Sequence, residues 1–264
     1  MQRHLYLWIT DTHLLPWQRY KMLGAIHDQK PSGVFITGDI SNSAQTLLGD
    51  LEFLGKRIGR PIYFTIGNHD LHGSSIEKTY AGIRELVAKY NNLVWMDKSD
   101  IIPLNEETCC IGHMGWYNGT GNKKYLKFTL DWFLTEDFRK LHSWEERFAK
   151  FEQLAQESID SLLPKLETAL DTYKVVYLLT HYPPWPEANR CNYFLSEEFY
   201  SPYNSNVMLG KALEKLMAEH KKRRLIVLAG HTHSPCVIQV SRNVECRVGK
   251  GSYYKLSDDE IIYI

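Results

Sequence analysis

Five short apolar runs rich in β-branched and aromatic residues punctuate the chain, at 5–10, 34–37, 62–66, 175–180 and 225–229. Runs of this length without polar alternation read as strands buried on both faces. Between them the apolar positions step by three or four, the helical period. The stretches 17–30, where Met22, Leu23 and Ile26 share a face, 44–57, 76–90 and 207–222 are predicted helices. The longest such pattern spans 144–173, with Phe148, Phe151, Ala155, Ile159, Leu162, Leu166 and Leu170 along one face. Pro164 inside it predicts a kink or a restart, because proline has no N–H to donate. Strand alternating with helix predicts a layered α/β fold. Beyond 236 the pattern changes: 237–240, 245–248, 252–255 and 261–264 are strand-like pieces with no room for helices between them. These are expected to be antiparallel and to form a second sheet.

No repeat, low-complexity tract or composition break divides the 264 residues. The expectation is one domain over 1–264, with insertions around 113–173 and 182–206 forming a substrate cap. Lys+Arg and Asp+Glu both number 31, and zero net charge counts against a general nucleic-acid binder or an extended nucleic-acid surface. No window approaches the ~20 apolar residues that cross a bilayer, and the opening MQRHLYLWITD lacks the pattern of a signal peptide. Cys109, Cys110, Cys191, Cys236 and Cys246 make an odd count without a Cys-x-x-Cys spacing. A soluble protein of the reducing cytoplasm is expected, and the sequon at Asn118-Gly119-Thr120 reads as chance.

The chemistry sits at the ends of the apolar runs. Asp11-Thr12-His13 follows the first, Gly38-Asp39 the second and Gly67-Asn68-His69-Asp70 the third; His181 follows the fourth and Gly230-His231-Thr232-His233 the fifth. A lone His-x-His or Asp-x-His is more often a turn or a satisfied core pair than a ligand set. Five such groups in one structural context are another matter, because ligand sites of layered α/β sheets lie beyond the carboxyl ends of the strands. Imidazole and carboxylate donors without thiolate suit Mn, Fe, Zn, Co or Ni.

This ordered set resembles the calcineurin-like metallophosphoesterase superfamily over nearly the whole chain. The resemblance implies a four-layer α/β/β/α sandwich of two mixed sheets flanked by helices. It also implies two divalent transition-metal ions, with manganese favoured. One would take Asp11, His13, Asp39 and His233, and the other Asp39, Asn68, His181 and His231, with Asp39 shared. A metal-activated hydroxide would then attack phosphorus, and the ions would carry the developing charge. His69 would protonate the leaving oxygen; Asp70 would either orient that imidazole or cap the next helix. One departure stands out: many relatives carry an acidic residue where this chain has Asn42, and that aspartate helps to position a histidine. The remaining histidines, His4, His27, His72, His113, His142 and His220, read as surface or helix-face residues, with His113 a candidate for the pocket wall.

Substrate choice is expected from two aromatic stretches, 115–133 and 181–204, in which Lys123, Lys124 and Arg190 are interspersed. Aromatic faces with cations among them can stack a base and hold a phosphate. Most of these rings are expected to pin loops, with Tyr117, Tyr182, Trp185 and His113 as candidate substrate contacts. His181-Tyr182-Pro183-Pro184 resembles a turn of cyclic-nucleotide phosphodiesterases in the superfamily. The expected partner is a small phosphodiester or nucleotide. The alternatives are a phosphomonoesterase, a nuclease, or a non-catalytic scaffold that binds a protein.

Overall fold

The computed structural model describes residues 4–119, 129–189, 204–251 and 261–264. Its strands, in chain order, are β1 (Leu5–Ile9), β2 (Gly33–Thr37), β3 (Ile62–Thr65), β4 (Leu93–Trp95), β5 (Ile102–Pro103), β6 (Thr108–Gly112), β7 (Val175–Leu179), β8 (Arg224–Ala229), β9 (Cys236–Ser241), β10 (Val244–Val248) and β11 (Ile261–Tyr263). The helices are α1 (Arg19–Gln29), α2 (Ala44–Arg57), α3 (Ile76–Lys89), α4 (Asp131–Leu134), α5 (Glu136–Arg139), α6 (Trp144–Thr172) and α7 (Val207–Glu219).

Two mixed sheets form. The first has the order β11-β1-β2-β3-β4, parallel except for β11 against β1. The second runs β5-β6-β7-β8-β10-β9. Residues on alternate sides of each strand face different layers, and that alternation builds the sandwich. Leu7, Ile9, Val34 and Ile36 pack under α1 and α2 beside Met22, Ile26, Leu47 and Leu51. Their neighbours Tyr6, Trp8 and Phe35 turn the other way, to meet Tyr177, Leu179, Ile226 and Leu228 between the sheets. Val176, Leu178, Leu225 and Val227 face the opposite outer layer, beneath α6 and α7. The α/β/β/α architecture thus follows from strands that are apolar on both sides.

Three expectations change. β10 pairs parallel with β8, so only the β9–β10 and β1–β11 pairings at this end are antiparallel. The last strand crosses to the first sheet, a long-range choice that no local pattern encodes; the predicted strand at 252–255 lies outside the described residues. Second, α6 runs through Pro164 without a break. Ile159, Leu162, Leu166 and Leu170 are buried in the core of the second sheet, which holds the helix together despite the bond lost at proline. Third, that burial makes α6 a layer of the sandwich and not part of a cap. Segments 120–128 and 190–203 of the expected cap lie outside the described residues.

Candidate metal centre

The loops after β1, β2, β3, β7 and β8 meet at one end of the sandwich. The β1 and β2 loops continue side by side, with Asp11 N donating to Gly38 O at 3.1 Å and His13 N to Asp39 O at 2.9 Å. Gly230 N donates to His181 O at 2.9 Å, and His231 N to the Asp11 carboxylate at 2.9 Å and 3.0 Å. The packing demands glycine at 38 and 67. A Cβ on Gly38, whose φ is +88°, would sit 2.4 Å from His181 Nδ1, and one on Gly67 would sit 2.1 Å from Asp39 Oδ1. The backbone is bent as well. Asp11, His13, Asp39, His231 and His233 all have positive φ, and among the described non-glycine residues only Lys30 joins them. Such conformations cost ~1 kcal/mol or more each and persist where the surroundings enforce them.

Two donor sets result. Ligand atoms of Asp11, His13, Asp39 and His233 lie within 4.8 Å of one another, as do those of Asp39, His181 and His231. His13 Nε2 is 3.3 Å from His233 Nε2 and 3.7 Å from Asp39 Oδ2, and His233 Nε2 is 3.2 Å from Asp11 Oδ1. In the second set His181 Nε2 lies 3.2 Å from His231 Nδ1, 3.3 Å from Asn68 Oδ1 and 3.5 Å from Asp39 Oδ2. Adjacent ligands around a first-row cation with bonds of about 2.1 Å stand roughly 3.0 to 3.4 Å apart. The donors therefore have the spacing of coordination shells. Asp39 Oδ2 faces both sets, while its Oδ1 is occupied by His69 N at 3.0 Å.

Three imidazoles have their second nitrogen held by an oxygen, the arrangement that turns a bare nitrogen toward a metal. His13 Nδ1 donates to Asn42 Oδ1 at 3.0 Å, His181 Nδ1 to Thr37 O at 3.0 Å and His231 Nε2 to Asn204 Oδ1 at 3.0 Å. Burial lowers the pKa of His181 to about 4 and, with His181 beside it, that of His231 to about 3. Neutral imidazole is the ligating form. Asp39 moves upward, through burial and the nearby Asp11 and Asp70 carboxylates; only a cation makes its charge favourable there. The residues fit a pair of divalent ions.

The expected ligands therefore come together, whereas other expectations need correction. Asp70 neither touches the His69 ring nor caps a helix: its carboxylate accepts from the backbone N–H of Ile40, Ser41 and Gly67 at 3.2, 2.8 and 2.9 Å. It clamps the β2 loop to the β3 loop. The His69 ring stands edge-on to His13 with centroids 4.7 Å apart, and 4.7 Å from His72. Burial, with His13 and His72 close by, brings its pKa to about 3. Asn42, in place of the acidic residue, serves His13. Tyr117 and Tyr182 are fully buried and Trp185 nearly so. Tyr117 stacks on Trp116 and packs on Phe151, and Trp185 Nε1 donates to Glu214 at 2.8 Å. His113 lines a separate cavity of about 290 Å³ behind the site, with Tyr80, Trp116 and Glu157. The rings of Tyr117, Tyr182 and Trp185 thus pack in the core and the wall, where they fix loops, while His113 faces that cavity. Tyr182 still touches the site from behind, its ring 4.3 Å from that of His231.

Three participants carried no motif. Asp131 is buried and accepts from Asn68 Nδ2 at 2.9 Å, His72 Nε2 at 2.8 Å, Tyr117 OH at 3.1 Å and Thr129 Oγ1 at 3.0 Å. Burial alone would raise its pKa, but His72, Asn68 and Thr129 outweigh that and bring it to about 2. His72, expected on the surface, is 4% exposed, and Asn204 orients His231.

The calcineurin-like phosphoesterase profile matches residues 5–235, from β1 through the last of these motifs. The chain belongs to the calcineurin-like phosphoesterase family. It is accordingly a metal-dependent hydrolase of phosphoester bonds. Solved structures share this fold. A dimetal phosphatase from Danio rerio is similar at a TM-score of 0.56 and 14% identity, over 93% of this chain and 86% of that one. TT1561 of Thermus thermophilus is similar at 0.53 and 12% identity, over 95% and 91%. GAP50, the anchor in the inner membrane complex of Plasmodium, is similar at 0.51 and 10% identity, over 100% of this chain and 78% of that one. No curated protein sequence matches the chain. Among the described residues no helix is long and apolar enough to cross a membrane.

Proposed function

We propose that this phosphoesterase hydrolyses a small phosphodiester or nucleotide-type phosphoester at a dinuclear centre. One metal is held by Asp11, His13, Asp39 and His233, and the other by Asp39, Asn68, His181 and His231. The observation that carries this reading is the single oxygen Asp39 Oδ2, 3.7 Å from His13 Nε2 and 3.5 Å from His181 Nε2, with a donor set on either side. Bound ions supply Lewis-acid charge and a water activated at neutral pH. The protein residues do the rest. The histidines of the β1, β7 and β8 loops orient their bare nitrogens, and Asp70 holds the Asp39 and Asn68 loops in register. His69 gives a proton at its ring to the leaving-group oxygen, a role supported by its edge-on place beside His13.

Preference for a diester is supported by the resemblance of His181-Tyr182-Pro183-Pro184 to a turn of cyclic-nucleotide phosphodiesterases in the superfamily. Manganese as the working ion and a cytoplasmic setting belong to this reading. The test compares Mn(II)-dependent hydrolysis of bis-p-nitrophenyl phosphate with that of p-nitrophenyl phosphate. Faster diester turnover is expected; faster monoester turnover makes the protein a phosphomonoesterase. GAP50, an anchor with this fold, motivates the competing reading of a scaffold, which absence of turnover with Mn, Fe, Zn, Co and Ni would favour.

A further inference from the structure

The amide of Asn68 presents two ends of nearly equal shape, and only the oxygen can serve as a metal donor. Which end faces His181 depends on what lies behind it. Behind it lies Asp131, reached by the 129–139 segment through contacts unrelated to the strand-end motifs: Gly73 N donates to Leu134 O at 2.8 Å and Glu136 N to Ser74 O at 3.0 Å. The Asp131 carboxylate is 2% exposed and receives four donors. Oδ1 takes Asn68 Nδ2 and His72 Nε2, and Oδ2 takes the hydroxyls of Tyr117 and Thr129. A carboxylate so surrounded only accepts, so it fixes the NH₂ end of Asn68 toward itself and the oxygen toward His181, 3.3 Å away. We infer that Asp131 is a positioning residue that selects the ligating end of Asn68 and thereby sets the affinity of one metal position, the one shared by Asn68, His181 and His231.

The inference rests on the dinuclear reading given above and makes a demand that reading does not. The two metal positions must respond unequally to a change at Asp131. Asp131→Leu keeps the branched shape but offers no acceptor, so nothing holds the NH₂ end of Asn68 inward. The amide can then turn either end to the metal position. Exchanging the two groups, Asn68→Asp with Asp131→Asn, restores both the hydrogen bond and an oxygen facing His181. The other position has no atom in this network.

The experiment is titration of EDTA-stripped protein with Mn(II), followed by calorimetry and by the electron paramagnetic resonance of free Mn(II), with thermal melts of the metal-free forms. Wild type is expected to bind two equivalents. Asp131→Leu should bind one with unchanged affinity and the other about 10- to 100-fold more weakly, the usual range for groups that orient a ligand. The Mn(II) concentration for half-maximal turnover should rise by the same factor while kcat at saturating Mn(II) changes less. The exchanged double variant should recover two equivalents, and Thr129→Val, which touches only Oδ2, should keep both. Two wild-type-like equivalents in Asp131→Leu, or equal weakening of both, overturns the inference and leaves the dinuclear reading standing. Fewer than two equivalents in wild type overturns the dinuclear reading itself. If Asp131→Leu does not fold, the double variant decides: two equivalents support the inference and loss of one overturns it.

Discussion

Replacing Asp70 by alanine removes the acceptor of three backbone N–H groups at once, those of Ile40, Ser41 and Gly67. Asp70 is 0% exposed, so water does not take its place without the loops opening. Leaving a buried donor unsatisfied costs roughly 1 to 3 kcal/mol, and three together would cost at least about 3 kcal/mol if the loops relax partway. Asp70→Asn is milder. Its one carbonyl oxygen can replace Oδ2, which serves Ile40 and Gly67, but its NH₂ then confronts Ser41 N–H, leaving one orphan at about 1 to 3 kcal/mol. For a chain of this size 1 kcal/mol corresponds to about 2 to 4 °C in Tm. The expected fall is at least roughly 6 to 12 °C for alanine and about 2 to 12 °C for asparagine. Metal affinity should fall with stability, because the clamp joins the loops that carry Asp39 and Asn68. Thermal melts of metal-free protein and Mn(II) titrations measure both. A variant with wild-type Tm and metal binding but reduced kcat would refute the clamp and restore Asp70 to the side of His69.

His69→Ala should retain two metal equivalents while kcat falls by about 100-fold or more, whereas Asp39→Ala should lose metal altogether; metal analysis and turnover of the pair separate the roles, and an active Asp39 variant would end the dinuclear account. Glu245 is held by Arg224 at 2.8 Å and Arg247 at 2.6 Å. Burial would raise its carboxyl, but the two guanidiniums outweigh it and keep the pKa below the ordinary glutamate value. Its contribution is therefore present above the unfolded pKa near 4.5 and is lost as pH falls through the lowered folded value, so Glu245→Gln should flatten the acid limb of a stability-against-pH curve. An unchanged limb would remove Glu245 from that account. Burial pushes the Cys109 thiol up to about 12 and raises those of Cys110 and Cys246 as well. At pH 8 iodoacetamide should therefore leave these three unmodified in folded protein while reaching the part-exposed Cys236; peptide mapping of label on Cys110 would contradict the packing between the sheets.

Much of the scaffold is local and hence legible: α2 begins and ends where the apolar period does, and the five strand-end motifs mark their own meeting place. What the sequence does not reveal is set by contacts distant along it. Nothing near Asp131 announces that it will meet Asn68, 63 positions away. His72 reads as one more surface histidine because its partner, Asp131, lies 59 positions away. Tyr117 and Tyr182 are ambiguous for the opposite reason, since an aromatic residue beside a motif has the same letter whether it lines a pocket or fills the wall behind it. The parallel pairing of β10 with β8 was hidden likewise, because period-two patterning says which faces are apolar and nothing about the direction of a neighbour.

The bent backbone at Asp11, His13, Asp39, His231 and His233 has an evolutionary consequence. Left-handed conformations are open to glycine and, at some cost, to Asp, Asn and His, so the positions that carry the chemistry are also those where most of the amino-acid alphabet is closed by geometry. In a saturation library scored for folding in the absence of metal, glycine should be among the fittest replacements at these sites. Scored for hydrolysis, it should be among the worst. Selection for robustness and selection for turnover would thus pull these five codons in opposite directions, and a lineage released from its substrate should drift toward glycine there first.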